Sequence, residues 1–200
     1  MIEDHLTIET NEGDMSTFVV RPESDGPFPV ILFLMDAPGK REELHDMARR
    51  VAATGYYVML PNLYYRDVPS FTIHREDPVS AKYMAQLMDN LSNAMVSRDA
   101  SSLLEHAASD SSANTDAVGV TGYCMSGPFA FAAASTHSSR IKASASIHGV
   151  RLFTESEDSP HLDASKIEGE MYFGCAETDD WAPPEMVEGL DKFLSETGIN

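Results

Sequence analysis

Short apolar runs alternate along this chain with stretches whose apolar residues recur at helical spacing, and the order of the two predicts a fold class. Leu6–Thr10 and Met15–Val20 alternate apolar and polar residues around Asn11-Glu-Gly-Asp14, the pattern of a hairpin. After the turn-rich Pro22–Pro27, the run Pro29–Met35 is almost continuously apolar, as a strand covered on both faces requires, and it stops at the loop Asp36-Ala-Pro-Gly39. Leu44, Met47, Ala48, Val51 and Ala52 then fall at i, i+3, i+4, i+7 and i+8, one face of a helix closed by Gly55. Tyr56–Leu60 reads as a second buried strand stopped by Pro61. A strand, a crossover helix and a parallel strand within about 30 residues form a βαβ unit, right-handed almost without exception. The fold class is therefore α/β.

Residues 62–78 carry aromatic, basic and proline residues with no sustained period and read as a long loop over the sheet, where ligands are usually met. Helices are predicted over 79–88 and 94–108, a strand over Ala117–Thr121, a small-residue helix over Met125–Ala134 and a strand over Ala143–Ile147. A loop from Val150 to Glu168, a strand over Met171–Cys175 and a helix from Pro183 to Thr197, stopped by Gly198, complete a single domain over 1–200.

Composition narrows the partners. With 42% apolar residues the chain has enough to build a core, and 14 Lys+Arg against 32 Asp+Glu give a formal charge of −18. Such a charge repels nucleic-acid phosphates and anionic lipid, and no local basic patch offsets it. The longest apolar run, Val30–Met35, is far short of the ~20 residues that span a bilayer. Met1-Ile-Glu-Asp-His5 has neither the basic nor the apolar region of an export signal. The expectation is a cytoplasmic protein without nucleic-acid or membrane partners, a monomer or homodimer. Its two cysteines, Cys124 and Cys175, lack CxxC spacing, and no HExxH occurs, so no metal or organic cofactor is expected. Cys175 sits inside an apolar strand and reads as core.

One segment carries chemistry: Val118-Gly-Val-Thr-Gly-Tyr-Cys-Met-Ser-Gly127, a strand that runs through Gly-x-Cys-x-Ser-Gly into a helix. A nucleophile at such a strained bend needs small neighbours two positions away, or strand and helix collide; Gly122 and Ser126 supply them. The bend places Cys124 near a helix N-terminus, whose partial positive charge is expected to favour a thiolate, and the Met125 N–H where it can serve an oxyanion. Asp179 follows the strand 171–175 and precedes a proline-led helix, which brings a carboxylate to the same end of the sheet. The alternative is a helix N-terminal acid near Pro183-Pro184, and Asp180 competes for its place.

At these residues the chain resembles the dienelactone hydrolase family of α/β-hydrolases. The resemblance rests on Gly122–Gly127, on Leu34–Gly39, on Leu60-Pro-Asn-Leu-Tyr-Tyr-Arg66 and on Cys175-Ala-Glu-Thr-Asp-Asp-Trp-Ala-Pro183. It implies a three-layer sandwich about a mostly parallel sheet and a Cys-Asp-His triad acting on small carboxylic esters or lactones. Cys124 would be the nucleophile and Asp179 the orienting acid. Met125 and Ala37 N–H groups would form the oxyanion hole, and Asp36, one methylene shorter than the family's usual glutamate, would accept the thiol proton. By the same resemblance Tyr123 packs beneath the elbow.

The family's histidine lies about 30 residues past the aspartate, yet no histidine follows His161 here. The expectation is that the last strand, the histidine, a substrate-binding arginine and the final helix lie beyond Asn200. Within the chain, His148, Trp181, Tyr64 and Tyr65 are candidate pocket walls, and His74 and His161 lie in loops that could overhang it. Competing readings are a non-catalytic α/β binding module, a thiol-based redox sensor, and a serine hydrolase using Ser126.

Overall fold

The computed structural model describes residues 1–197, so the predicted helix stop at Gly198 lies outside the described residues. Among the described residues seven strands form one sheet in the order β1-β2-β4-β3-β5-β6-β7. The hairpin β1 (Ile2–Thr10) and β2 (Gly13–Arg21) joins antiparallel to β4 (Tyr57–Pro61). β3 (Phe28–Leu34), β4, β5 (Ala113–Tyr123), β6 (Ile141–Ile147) and β7 (Glu170–Gly174) run parallel. β3 and β4 are short, almost continuously apolar runs because they are covered on both faces, whereas β6 and β7 keep exposed residues such as Lys142 and Tyr172.

The chain moves one way in the sheet from β3 to β4 and the other way from β4 to β5 and on to β6 and β7. Right-handed crossovers therefore put α1 (Glu42–Ala52) on one face, and α3 (Asn93–Ser109) and α4 (Gly127–Thr136) on the other. α2 (Pro78–Asp89) starts on an Asp77 side-chain cap, and α3 on a Ser92 cap to the Met95 N–H. The last helix, α5 (Pro184–Thr197), packs Met186 and Leu190 into a second apolar cluster with Leu152 and Phe131.

α4 is buried from Gly127 to Ser135, which explains its composition. A helix with no solvent face has no use for an amphipathic pattern, and small residues let it sit close to its neighbours. At Gly127 a Cβ would overlap the Gly149 backbone and the Ser146 hydroxyl. No helix among the described residues is long and apolar enough to cross a membrane.

The reversal of strand order falls between β3 and β5. In open parallel sheets the crevice beyond the carboxyl ends of two such strands is the natural ligand site. Leu34 and Gly122 are register partners at those ends, so Asp36-Ala37 and Tyr123-Cys124 emerge side by side.

Candidate active site

β5 ends in a three-residue 3₁₀ turn, Cys124–Ser126, before α4 begins. Cys124 has φ +53°, a left-handed conformation that costs a non-glycine residue of order 1–3 kcal/mol and persists only where the surroundings over-determine it. Three contacts do so. Gly122, lacking a Cβ, lets the Ser126 carbonyl lie directly against it. The Ser126 hydroxyl accepts from the Tyr123 N–H at 2.8 Å and donates to the Leu34 carbonyl at 3.1 Å, tying the bend to β3. The Cys124 carbonyl accepts from the Val150 N–H at 3.2 Å. Ser126 is fully buried in these roles, which removes it as a nucleophile.

The Cys124 thiol is half-buried and the Met125 N–H donates to its sulfur. Burial pushes the thiol above its ordinary range, and the charges of Asp36 and Asp179 push the same way against that single N–H. The expected helix-stabilised thiolate is thus not what the structure gives. α4 starts three residues after the sulfur, so one N–H reaches it rather than a helix end, and desolvation with two carboxylates wins.

Asp36 lies after β3, and its carboxylate is gripped on both oxygens by the Arg41 guanidinium, with Nη2 to Oδ2 at 2.9 Å. Arg41 also donates to the Gly39 carbonyl at 3.0 Å. Asp36 is therefore held in an ion pair with Arg41 at rest. Ala37 is buried, and its carbonyl accepts from the Tyr64 hydroxyl at 2.8 Å. Asp179 sits in the loop between β7 and α5, near enough for its charge to act on Cys124. Its Oδ1 accepts from the Trp181 N–H at 2.9 Å, an Asx turn that leaves Oδ2 without a partner among the described residues. Asp180 is exposed.

The expected pocket walls divide. His148 is exposed at the end of β6 with φ +41°, its N–H bonded to the Gly174 carbonyl at 2.6 Å and its ring 6.4 Å from that of Tyr123. Tyr123 itself stacks on Phe33 at 5.0 Å. Trp181 is 71% exposed. Tyr65 turns away: its hydroxyl bonds Thr10 and Asp99, each at 2.9 Å, and its ring lies under the Arg66 guanidinium. Its expected place as a pocket wall is corrected by that network, which ties the hairpin to α3. Cys175, expected in the core, is exposed, because the chain leaves β7 at Gly174.

His161 is buried and bonds Ser159 at 2.7 Å; His74 is exposed. Among the described residues no histidine hydrogen-bonds Cys124 or Asp179. No three His, Cys, Asp or Glu side chains among them converge as metal ligands do.

A cavity of about 380 Å³ opens beside the elbow, walled by Met88, Leu91, Met125, Pro128, Phe129 and Val150. Asn93 lies on its polar side, with Nδ2 donating to the Asp158 carbonyl at 2.7 Å and Oδ1 buried without a partner among the described residues. Apart from Met125 no residue of this wall was singled out by motif, and Tyr64, expected as a pocket wall, is instead wholly buried with its hydroxyl on the Ala37 carbonyl; both outcomes depend on how the loops after β4 and β6 return over the sheet. The arrangement offers a thiol, two backbone N–H groups, two carboxylates and an apolar cavity.

Comparison with known proteins bears on what this arrangement is. Residues 15–200 match the family model described as "Dienelactone hydrolase family". A protein of Synechocystis sp. named "Putative carboxymethylenebutenolidase" is 24% identical over 200 residues, 98% of this chain and 79% of its own length. One of the same name from Escherichia coli K12 is 30% identical over 155 residues; the match takes in 75% of this chain and about half, 54%, of that relative. The crystal structure named "Putative Dienelactone Hydrolase" from Klebsiella pneumoniae superposes with a TM-score of 0.85 at 23% identity, covering 99% of this chain and 82% of that one. The fold is that of an α/β-hydrolase.

Proposed function

The chain belongs to the dienelactone hydrolase family, and on that premise we propose that it hydrolyses small carboxylic esters or lactones through a covalent thioester on Cys124. The observation that carries the reading is the left-handed Cys124 at the switch point of the sheet, with the Met125 N–H on its sulfur and the charges of Asp36 and Asp179 acting on it. Attack by the sulfur on the substrate carbonyl forms the C–S bond, and the negative charge moves to the carbonyl oxygen. The Met125 and Ala37 N–H groups would receive that oxygen. Collapse expels the alcohol, or opens the lactone ring, and water then releases the acid from the thioester.

The thiol is protonated at rest, so its proton must leave as the C–S bond forms. Asp179, with one oxygen fixed by the Trp181 N–H, is suited to orient a histidine that accepts it. Asp36 is the second acceptor, available when a substrate competes for Arg41. The body of the substrate would fill the mainly apolar cavity beside Met125.

A thiol-sensor reading is less well supported, since redox-sensor thiols are exposed and of lowered pKa, whereas Cys124 is half-buried and its thiol is pushed up. The test is to mix the protein with p-nitrophenyl acetate, follow p-nitrophenol release, and locate the acetyl group by peptide mass spectrometry. Acetylation of Cys124, lost in Cys124→Ala, is the expected result. Acetylation elsewhere, or none, would overturn the reading.

A further inference from the structure

We infer that Tyr64 is a positioning residue for this reaction, its hydroxyl clamping together the two loops that carry the Ala37 and Met125 oxyanion donors. The inference rests on the hydrolase reading above. The two donors come from different strands: Ala37 follows β3 and Met125 follows β5. The sheet ladder between those strands ends at Leu34 and Gly122, so beyond it the spacing of the donors needs another tie.

The phenol oxygen of Tyr64 supplies one. It lies 2.8 Å from the Ala37 carbonyl oxygen and 3.2 Å from the Met125 sulfur. Its single hydrogen goes to the carbonyl, the stronger acceptor, and the thioether packs against the oxygen. Tyr64 is itself held firmly. It is wholly buried, Phe71 meets its ring edge-on at 6.0 Å, and its N–H donates to Asn62 Oδ1 at 3.2 Å. Asn62 in turn donates through Nδ2 to the Val68 and Pro69 carbonyls at 3.1 and 3.2 Å. A rigid aromatic anchored at both ends thus spans the gap between the donors. Burial first, and then the charge of Asp36, drives the phenol far above its ordinary range, so its hydrogen stays in place at any pH where the enzyme works.

An oxyanion hole is worth most when its donors are fixed before charge develops. The test compares two reactions of Cys124 in the full 200-residue chain: acylation by p-nitrophenyl acetate, which develops an oxyanion, and alkylation by iodoacetamide, which does not. Tyr64→Phe keeps the ring and removes the tie. It is expected to slow acylation by about 10-fold or more while alkylation stays within about twofold, with an unchanged pH profile. Tyr57→Phe, which removes another buried phenol, bonded to Asp110 at 2.9 Å, should leave both rates as they are. Unchanged acylation in Tyr64→Phe overturns the inference, as does an equal fall in both rates, the mark of lost packing. A parent chain that iodoacetamide labels at Cys124 but the ester does not acylate overturns the hydrolase reading itself, and this inference with it.

Discussion

The backbone carbonyl of Ser126 rests against the bare Cα of Gly122, so close that a Cβ there would overlap it and also stand 3.0 Å from the Gly127 nitrogen. All of these neighbours are backbone, so nothing flexible can give way. Gly122→Ala should destabilise the domain by about 2–3 kcal/mol and rotate Cys124 out of its left-handed bend. Thermal melting together with iodoacetamide labelling checks this: an unshifted melting temperature with unchanged labelling kinetics would contradict the account of the elbow.

Ser126 separates two nucleophile assignments. Its hydroxyl serves the Tyr123 N–H and the Leu34 carbonyl and has no exposure. Ser126→Ala is therefore expected to cost about 1–3 kcal/mol through the stranded buried groups, and to leave an ester-reactive thiol at 124. Loss of all acylation in a well-folded Ser126→Ala would revive the serine reading.

The hydrophobic pattern alone ordered most of this architecture. Runs such as Pro29–Met35 and Tyr56–Leu60 are strands because only a doubly covered strand tolerates so few polar residues, and the spacing from Leu44 to Ala52 leaves α1 one apolar face. The elbow was legible too, since the need for small residues around a strained bend is written in Gly122 and Ser126. What the pattern does not carry is the direction of neighbouring side chains in loops. Tyr64 and Tyr65 are adjacent and chemically alike, yet one reaches the Ala37 carbonyl and the other faces Thr10 and Asp99. The Arg41 grip on Asp36 was hidden for the same reason, and with it the resting state of that carboxylate. The raised thiol also escaped the sequence, because it sums burial and charges that meet only in the fold.

The network around Asp99 tests the part of the fold remote from the site. Asp99 is almost wholly buried and accepts from Arg66 at 2.6 and 3.0 Å and from Tyr65 at 2.9 Å. Arg66 reaches on to Glu12 in the β1–β2 turn. Asp99→Ala leaves a mostly buried guanidinium short of its main partner, and should cost about 3 kcal/mol in denaturant unfolding. Cys124 labelling by iodoacetamide should not change. A loss well under 1 kcal/mol would mean that the cluster is solvated enough to do without the carboxylate.

Asp36 faces Cys124 with two possible effects that pull in opposite directions. As a fixed negative charge it disfavours the thiolate, second only to burial among the protein groups that raise the thiol. Removing that charge lowers the pKa, and freeing the Arg41 guanidinium acts in the same sense. In Asp36→Asn the midpoint of iodoacetamide labelling should move down by about half a unit to one unit. At pH 7, below the midpoint in both proteins, labelling should quicken about three- to tenfold, because the rate follows the thiolate fraction. If Asp36 also takes the thiol proton during attack, ester acylation of the same variant must fall even as alkylation rises. The two rates diverging across a pH series is the expected outcome. Parallel acceleration would reduce Asp36 to an electrostatic neighbour, and an unmoved midpoint would mean that the Arg41 ion pair already cancels its charge at the sulfur.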